Sequence, residues 1–188
     1  MKEFLESPKM TAILGILGSI LMIPSLICTT SSFFDFLPYI YVLGFIIYFV
    51  TVLLRMFMQK GNIKIANYIL IISVIVPIII CILNIRYAMN MTGIIYLITY
   101  IVMALYFCNI LLRKPKLINN KVFAIILALY SAYQLFILYS ISKTYMSYRF
   151  SVEFELISEV IKYIGYLLII PYFYNYYNIL KGENRNGK

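Results

Sequence analysis

Between Arg149 and Lys162 the chain sets three carboxylates, Glu153, Glu155 and Glu159, close to one another and to the amine of Lys162. Clustered carboxylates can hold a cation or an amine, and charge placed within a membrane is costly enough that it usually marks a pathway or a paired site. Phe150, Phe154, Ile157 and Ile161 recur at helical intervals, with Glu155, Ser158, Glu159 and Lys162 on the other side. The stretch therefore reads as an amphipathic helix entering a final apolar run. Glu155 and Glu159 stand one turn apart and repel mildly; Lys162, three residues past Glu159, offsets that charge. Glu153, Glu155 and Glu159 make a candidate outer-face site for a cation or amine, set against the plainer alternative of a solvated helix face with a local ion pair. Lys162 has the reach to snorkel to the headgroups, which would leave both charges at the membrane surface.

A second candidate group is neutral: Tyr130, Tyr133 and Gln134 in one apolar run, with Tyr166, Tyr172 and Asn175 in the next. Tyrosine offers an apolar body with a polar tip, so these side chains could line a cavity for an uncharged or aromatic-compatible solute. The alternative is interface belt and helix packing, for which a chain with 19 Tyr and no Trp has ample use. Catalysis is not expected. The chain has no His, so Ser-His and Cys-His nucleophile pairs are absent, and its Gly residues form neither a phosphate loop nor a dinucleotide turn. Cys28, Cys81 and Cys108 lack metal-ligand spacing, so neither metal nor cofactor is called for. Cys28 and Cys81 fall near the same end of their helices and could be bridged, although an isolated Cys more often serves as a small buried hydrophobe.

The elements that must position these groups are membrane helices. Of 188 residues, 63% are hydrophobic and 12% charged, which is about half the charge of an ordinary soluble domain. A crossing needs roughly 20 apolar residues, and six such runs stand at 10–28, 37–58, 65–83, 93–112, 122–141 and 161–180. With short connections, residues 1–188 read as one polytopic, all-α membrane domain whose first partner is the lipid bilayer. The apolar run from Met10 follows a charged start, as in a signal peptide, but it is as long as a full span and lacks a small-residue cleavage site, so it is expected to stay. The formal charge of +9 would suit nucleic acid, yet the basic residues sit in isolated loops beside apolar runs and not on one polar surface.

Those loops set an orientation. The stretch Arg113-Lys-Pro-Lys-Leu-Ile-Asn-Asn-Lys121 carries four basic residues between two apolar runs, and basic loops stay cytoplasmic. Taken with the N-terminal lead, the turn at Arg55 to Lys64 and the C-terminal tail, this side collects 12 basic and 3 acidic residues; the other side has 4 of each. A cell-membrane protein with both termini cytoplasmic is expected.

Thr11, Gly15 and Ser19 recur every fourth residue in the first run, with Gly18 beside them, a stripe that lets a neighbouring helix come close. Pro24 and Pro77 are expected to kink their helices. Sliding the chain by 58 positions sets Tyr48-Phe49 on Tyr106-Phe107, Leu53-Leu54-Arg55 on Leu111-Leu112-Arg113, Asn62 on Asn120, Ala66 on Ala124 and Ser73 on Ser131. A duplicated helical hairpin would produce this, as would aromatic belts and basic flanks in part, and span six closes on the related Tyr176-Tyr177 and Lys181. The six-span format, at roughly this length, is similar to that of the substrate-capture subunits of energy-coupling-factor vitamin transporters. That resemblance is one of topology and assigns no residue; where such subunits dock through small side chains, this chain offers Thr11, Gly15 and Ser19. The expected function is a non-enzymatic small-solute transporter or solute-binding membrane subunit, acting with a partner subunit or as an oligomer. The alternative is a membrane interaction protein, such as an immunity, sensor or assembly factor, that works through helix faces and the outer segment 142–160. A polar-lined pocket between spans five and six would favour the first, close packing throughout the second.

Overall fold

The computed structural model describes residues 7–29, 39–83, 91–112, 118–145 and 150–186, without the side chains of 26, 28, 29, 91, 92, 142–145, 150–155 and 176–186. Among the described residues the chain is all-helical: α1 (Pro8–Leu21), α2 (Ile23–Thr29), α3 (Ile40–Met58), α4 (Ile63–Leu83), α5 (Met91–Leu112), α6 (Asn120–Tyr145) and α7 (Phe150–Asn186). Six stretches are long and apolar enough to cross a membrane: Pro8–Ser25, Ile40–Met58, Ile63–Leu83, Gly93–Leu112, Asn120–Ile141 and Leu156–Asn175. The last begins several residues before the expected 161 and takes in Glu159 and Lys162, which pair within the helix.

Proline and glycine punctuate the helices. Pro24 has no N–H for the Ile20 carbonyl and its ring crowds that group, so the first helix is interrupted at Met22, whose carbonyl accepts the Ser25 hydroxyl at 2.9 Å. Pro77 and Pro171 are carried inside α4 and α7. Between α3 and α4 the chain reverses in four residues. Gln59 is left-handed (φ 54°) and its N–H reaches the Arg55 carbonyl at 3.1 Å; Gly61 (φ 117°) passes close to Thr51; and Asn62 caps α4 by accepting from the Lys64 and Ile65 N–H groups at 3.1 and 3.3 Å. Asn119 does the same for α6, accepting from Lys121 N–H at 3.3 Å. The capping partner of Asn62 is therefore Asn119 and not the Asn120 of the 58-residue shift; Asn120 is buried and bonds other helices.

The helices run alternately up and down. Lys9 at the start of α1 lies over the Phe57 ring near the end of α3, with its Nζ 5.5 Å from the centroid, and Asn120 at the start of α6 touches both Tyr106 of α5 and Tyr174 of α7. Arg55, Lys60, Lys64 and Lys121 gather at this end, hereafter the basic end. The main helix contacts form a closed circuit from α1 through α3, α4, α5, α6 and α7 back to α1. Close approach in that circuit depends on small residues. Gly18 of α1 and Gly165 of α7 meet backbone to backbone, Gly44 of α3 faces Ser73 of α4, and Gly15 backs onto the Phe49 ring. Thr11 and Ser19 are buried beside them, their hydroxyls turned back to Ser7, Pro8 and Gly15 carbonyls. The face carrying Thr11, Gly15 and Ser19 is thus occupied by the chain's own helices. Outward faces carry exposed apolar side chains such as Ile72, Leu129 and Phe136.

The centre of the circuit is filled with rings. Tyr48-Phe49 of α3, Tyr106-Phe107 of α5 and Tyr172-Phe173 of α7 are all buried, and Phe173 has Tyr48, Phe49, Tyr106, Phe107 and Phe123 around it at centroid distances of 5.3–6.0 Å. In α7 the pair that joins the other two is Tyr172-Phe173, one turn before the Tyr176-Tyr177 singled out from the sequence, whose side chains lie outside those described.

Candidate functional site

Seven residues make two helical turns, so a residue seven positions before the phenylalanine of each ring pair lies on the same face about 10 Å away. Those residues are Val42, Tyr100 and Tyr166, all buried. Tyr100 and Tyr166, with Tyr41, Tyr96, Tyr130 and Tyr163, form a second aromatic layer made of tyrosines, farther from the basic end, whereas the first mixes tyrosine with phenylalanine. The Tyr100 and Tyr166 hydroxyls are 3.1 Å apart, and the Tyr41 phenol interacts with both. Tyr41 stacks on Tyr166 (5.9 Å), Tyr96 tilts against Tyr100 (4.3 Å), and Tyr130 stands edge-on to Tyr163 (5.8 Å) and Tyr166 (6.1 Å).

An ion pair lies against this layer. Lys162 Nζ donates to Glu159 Oε2, and the same ammonium sits over two rings, 5.1 Å from the Tyr39 centroid and 4.7 Å from that of Tyr163. These are cation–π distances. Lys162 is only 5% exposed, so its amine has not snorkelled to a surface; it is held between aromatic faces inside the span. Glu159 is partly exposed, but its other oxygen, Oε1, is buried with no hydrogen-bond partner. A buried carboxylate oxygen without a donor is costly and calls for an explanation.

The two sequence-derived groups are thus regrouped. Tyr130 and Tyr166 share the tyrosine layer, and Glu159 from the carboxylate group meets it through Lys162, whose amine lies over Tyr163. The antiparallel register that sets Tyr130 against Tyr163 brings Gln134, one turn on, to the level of Glu159; Gln134 is buried, whereas Tyr133 is half-buried. Tyr172 belongs to the ring core, its hydroxyl 3.5 Å from that of Tyr48, and Asn175 is buried beyond it toward the basic end. Glu153 and Glu155 lie on α7, but their side chains are outside those described. Cys81 is a free thiol, which removes the bridge to Cys28. No group of His, Cys, Asp or Glu among the described residues could hold a metal.

Tyr39, Tyr41, Tyr96, Tyr100 and Tyr163 were not among the expected site residues. The signal that would have found Tyr41 and Tyr100 is the Tyr-Phe pair repeated in α3, α5 and α7, read together with the ring two turns earlier; Tyr39, Tyr96 and Tyr163 lie off that pattern. Six helices of spanning length and apolarity form the pattern of a multi-pass membrane protein. Compared with models of protein families, with curated proteins and with solved structures, the chain matches none.

Proposed function

We propose that the protein is a non-enzymatic, solute-binding component of the cell membrane, with both termini in the cytoplasm and its site on the outward half, at Glu159, Lys162 and the surrounding tyrosines. One observation carries this reading: within a helix of spanning length Lys162 is buried and pairs with a partly exposed Glu159, one of whose carboxylate oxygens is left unpartnered. Charge within a span is expensive and usually marks a pathway or a binding site. Both partners belong to α7, three residues apart, so the pair does not itself tie two helices together. The ring core between this site and the basic end fills the centre of the circuit, which favours a capture subunit over an open channel. The same dense core supports a second reading, a membrane interaction protein.

The test is a stability screen. Melting of the detergent-purified protein is followed against small organic cations, neutral compounds and anions of matched size. At least one class should raise the melting temperature, and substitution Glu159→Gln should abolish that response. If no class shifts the wild type, the solute-binding reading fails and the interaction reading takes its place.

A further inference from the structure

The tyrosine layer contains a cation site that is already occupied by the chain itself. An ammonium group lies between two aromatic faces, Tyr39 and Tyr163, with a carboxylate at hydrogen-bonding contact. This combination of ring faces and one counter-charge is how proteins recognise organic ammonium ions in general. We propose that Lys162 is a resident stand-in for such a ligand, and that the site takes small organic ammonium compounds by exchange with the Lys162 amine. The inference rests on the solute-binding reading and names its substrate class.

Three features support exchange over a fixed structural pair. First, the tether is long and near an exit: Lys162 lies in the first third of the Leu156–Asn175 span, and a four-carbon stem lets the amine swing toward the headgroups, where it is well solvated. Second, charge is conserved in the swap, because one ammonium replaces another beside Glu159; adding a cation without displacing Lys162 would crowd like charges. Third, the unpartnered Glu159 Oε1 supplies an acceptor that the Lys162 amine leaves unused. An entering ammonium with several N–H donors can engage both carboxylate oxygens. Its organic body would then lie against Tyr39 and Tyr163, the rings that the Lys162 amine now covers.

The experiment uses benzylammonium and its neutral counterpart, benzyl alcohol, on the full-length protein in mild detergent. In the wild type, benzylammonium at about a hundred times its Kd should raise the melting temperature by a few degrees, and benzyl alcohol should not. Glu159→Gln should lose the response. Lys162→Met keeps the stem and removes the competing amine, so it should bind benzylammonium at least about tenfold more tightly, since the occupied resting state no longer competes. If Lys162→Met folds poorly alone because it leaves Glu159 unpaired, benzylammonium during purification should restore its yield, while benzyl alcohol should not. An unmoved wild type, an equal response in Glu159→Gln, or failure of the cation to tighten on or rescue Lys162→Met would each overturn the proposal. If benzyl alcohol alone stabilises the protein, and does so through Glu159, the cation class is wrong while the solute-binding reading stands. If no compound of any charge binds, both fall.

Discussion

The halves of the helix circuit use the same device for different ends. Toward the basic end, Tyr48, Phe49, Tyr106, Phe107, Phe123 and Phe173 interlock, and the polar atoms among them are spent on bonds between helices: the Tyr106 hydroxyl lies 2.9 Å from the Phe173 carbonyl and 3.1 Å from Asn120 Oδ1. Two turns away on the same faces, tyrosine hydroxyls meet one another and tyrosine ring faces cover the amine of a charged pair with a spare acceptor. Without water, helix association in a membrane rests on van der Waals packing and interhelical hydrogen bonds. Each half also keeps one unpartnered acceptor, of different charge: the neutral Asn67 Oδ1 on an amide whose Nδ2 donates to the Phe107 carbonyl at 3.1 Å, and the anionic Glu159 Oε1 beside the tyrosines.

The comparison assumes that the halves face different compartments, and the sharpest way to break it is to test that. Single cysteines at Lys116 and Lys143, in a background without the native cysteines, should differ completely in intact cells, an impermeant thiol reagent labelling only the second. Equal labelling at both positions would place the ends on one side and remove the orientation argument.

A second test asks what each half needs from its glycines. At the level of the ring core, a Cβ on Gly15 would meet the Phe49 ring at 2.1 Å, whereas at the tyrosine level a Cβ on Gly165 would meet the Gly18 carbonyl oxygen at 2.4 Å. A ring can turn in part; a backbone cannot. Gly165→Ala should therefore cost more than Gly15→Ala, with Gly165 beyond the usual overpacking penalty of about 1–3 kcal/mol and Gly15 within it. Leu17→Phe, on an exposed position, should be nearly silent in detergent melting. Equal costs at Gly15 and Gly165 would mean that the two contacts are not different in kind.

How much of this could be read in the chain depends on whether a feature is local. Span number is legible because hydrocarbon thickness demands a countable run of apolar residues, and the Glu159–Lys162 contact is legible because it joins residues three apart on one helix. The burial of Lys162 is not, since it depends on Tyr39 arriving from α3; from sequence alone a lysine near a span end is better placed at the headgroups. Belt and core tyrosines have the same composition, so only their register separates Tyr41 and Tyr100 from surface rings. The third ring pair was masked by a neighbour of similar composition, Tyr176-Tyr177, one turn further on.

The smallest expected effect is also the most discriminating, because it makes one chemical change in both halves. Tyr106→Phe and Tyr166→Phe each delete a buried hydroxyl and leave the ring. At Tyr106 the lost group reaches a backbone carbonyl and an asparagine that itself donates to the Tyr174 carbonyl at 3.4 Å, so its removal strands acceptors between α5, α6 and α7. The cost should be about 1–2 kcal/mol, read as a lower melting temperature, with any solute response intact. At Tyr166 the hydroxyl is one of several; Tyr100 retains its interactions with Tyr41 and Tyr96 after the loss. Stability should fall by less than about 0.5 kcal/mol, since a network with spare partners re-pairs. The response to benzylammonium should nevertheless weaken several-fold, because the tyrosine layer around the ion pair has lost a polar member. The reverse order, with Tyr166→Phe costing the stability and Tyr106→Phe the response, would make the tyrosine layer the structural half and move the site toward the basic end.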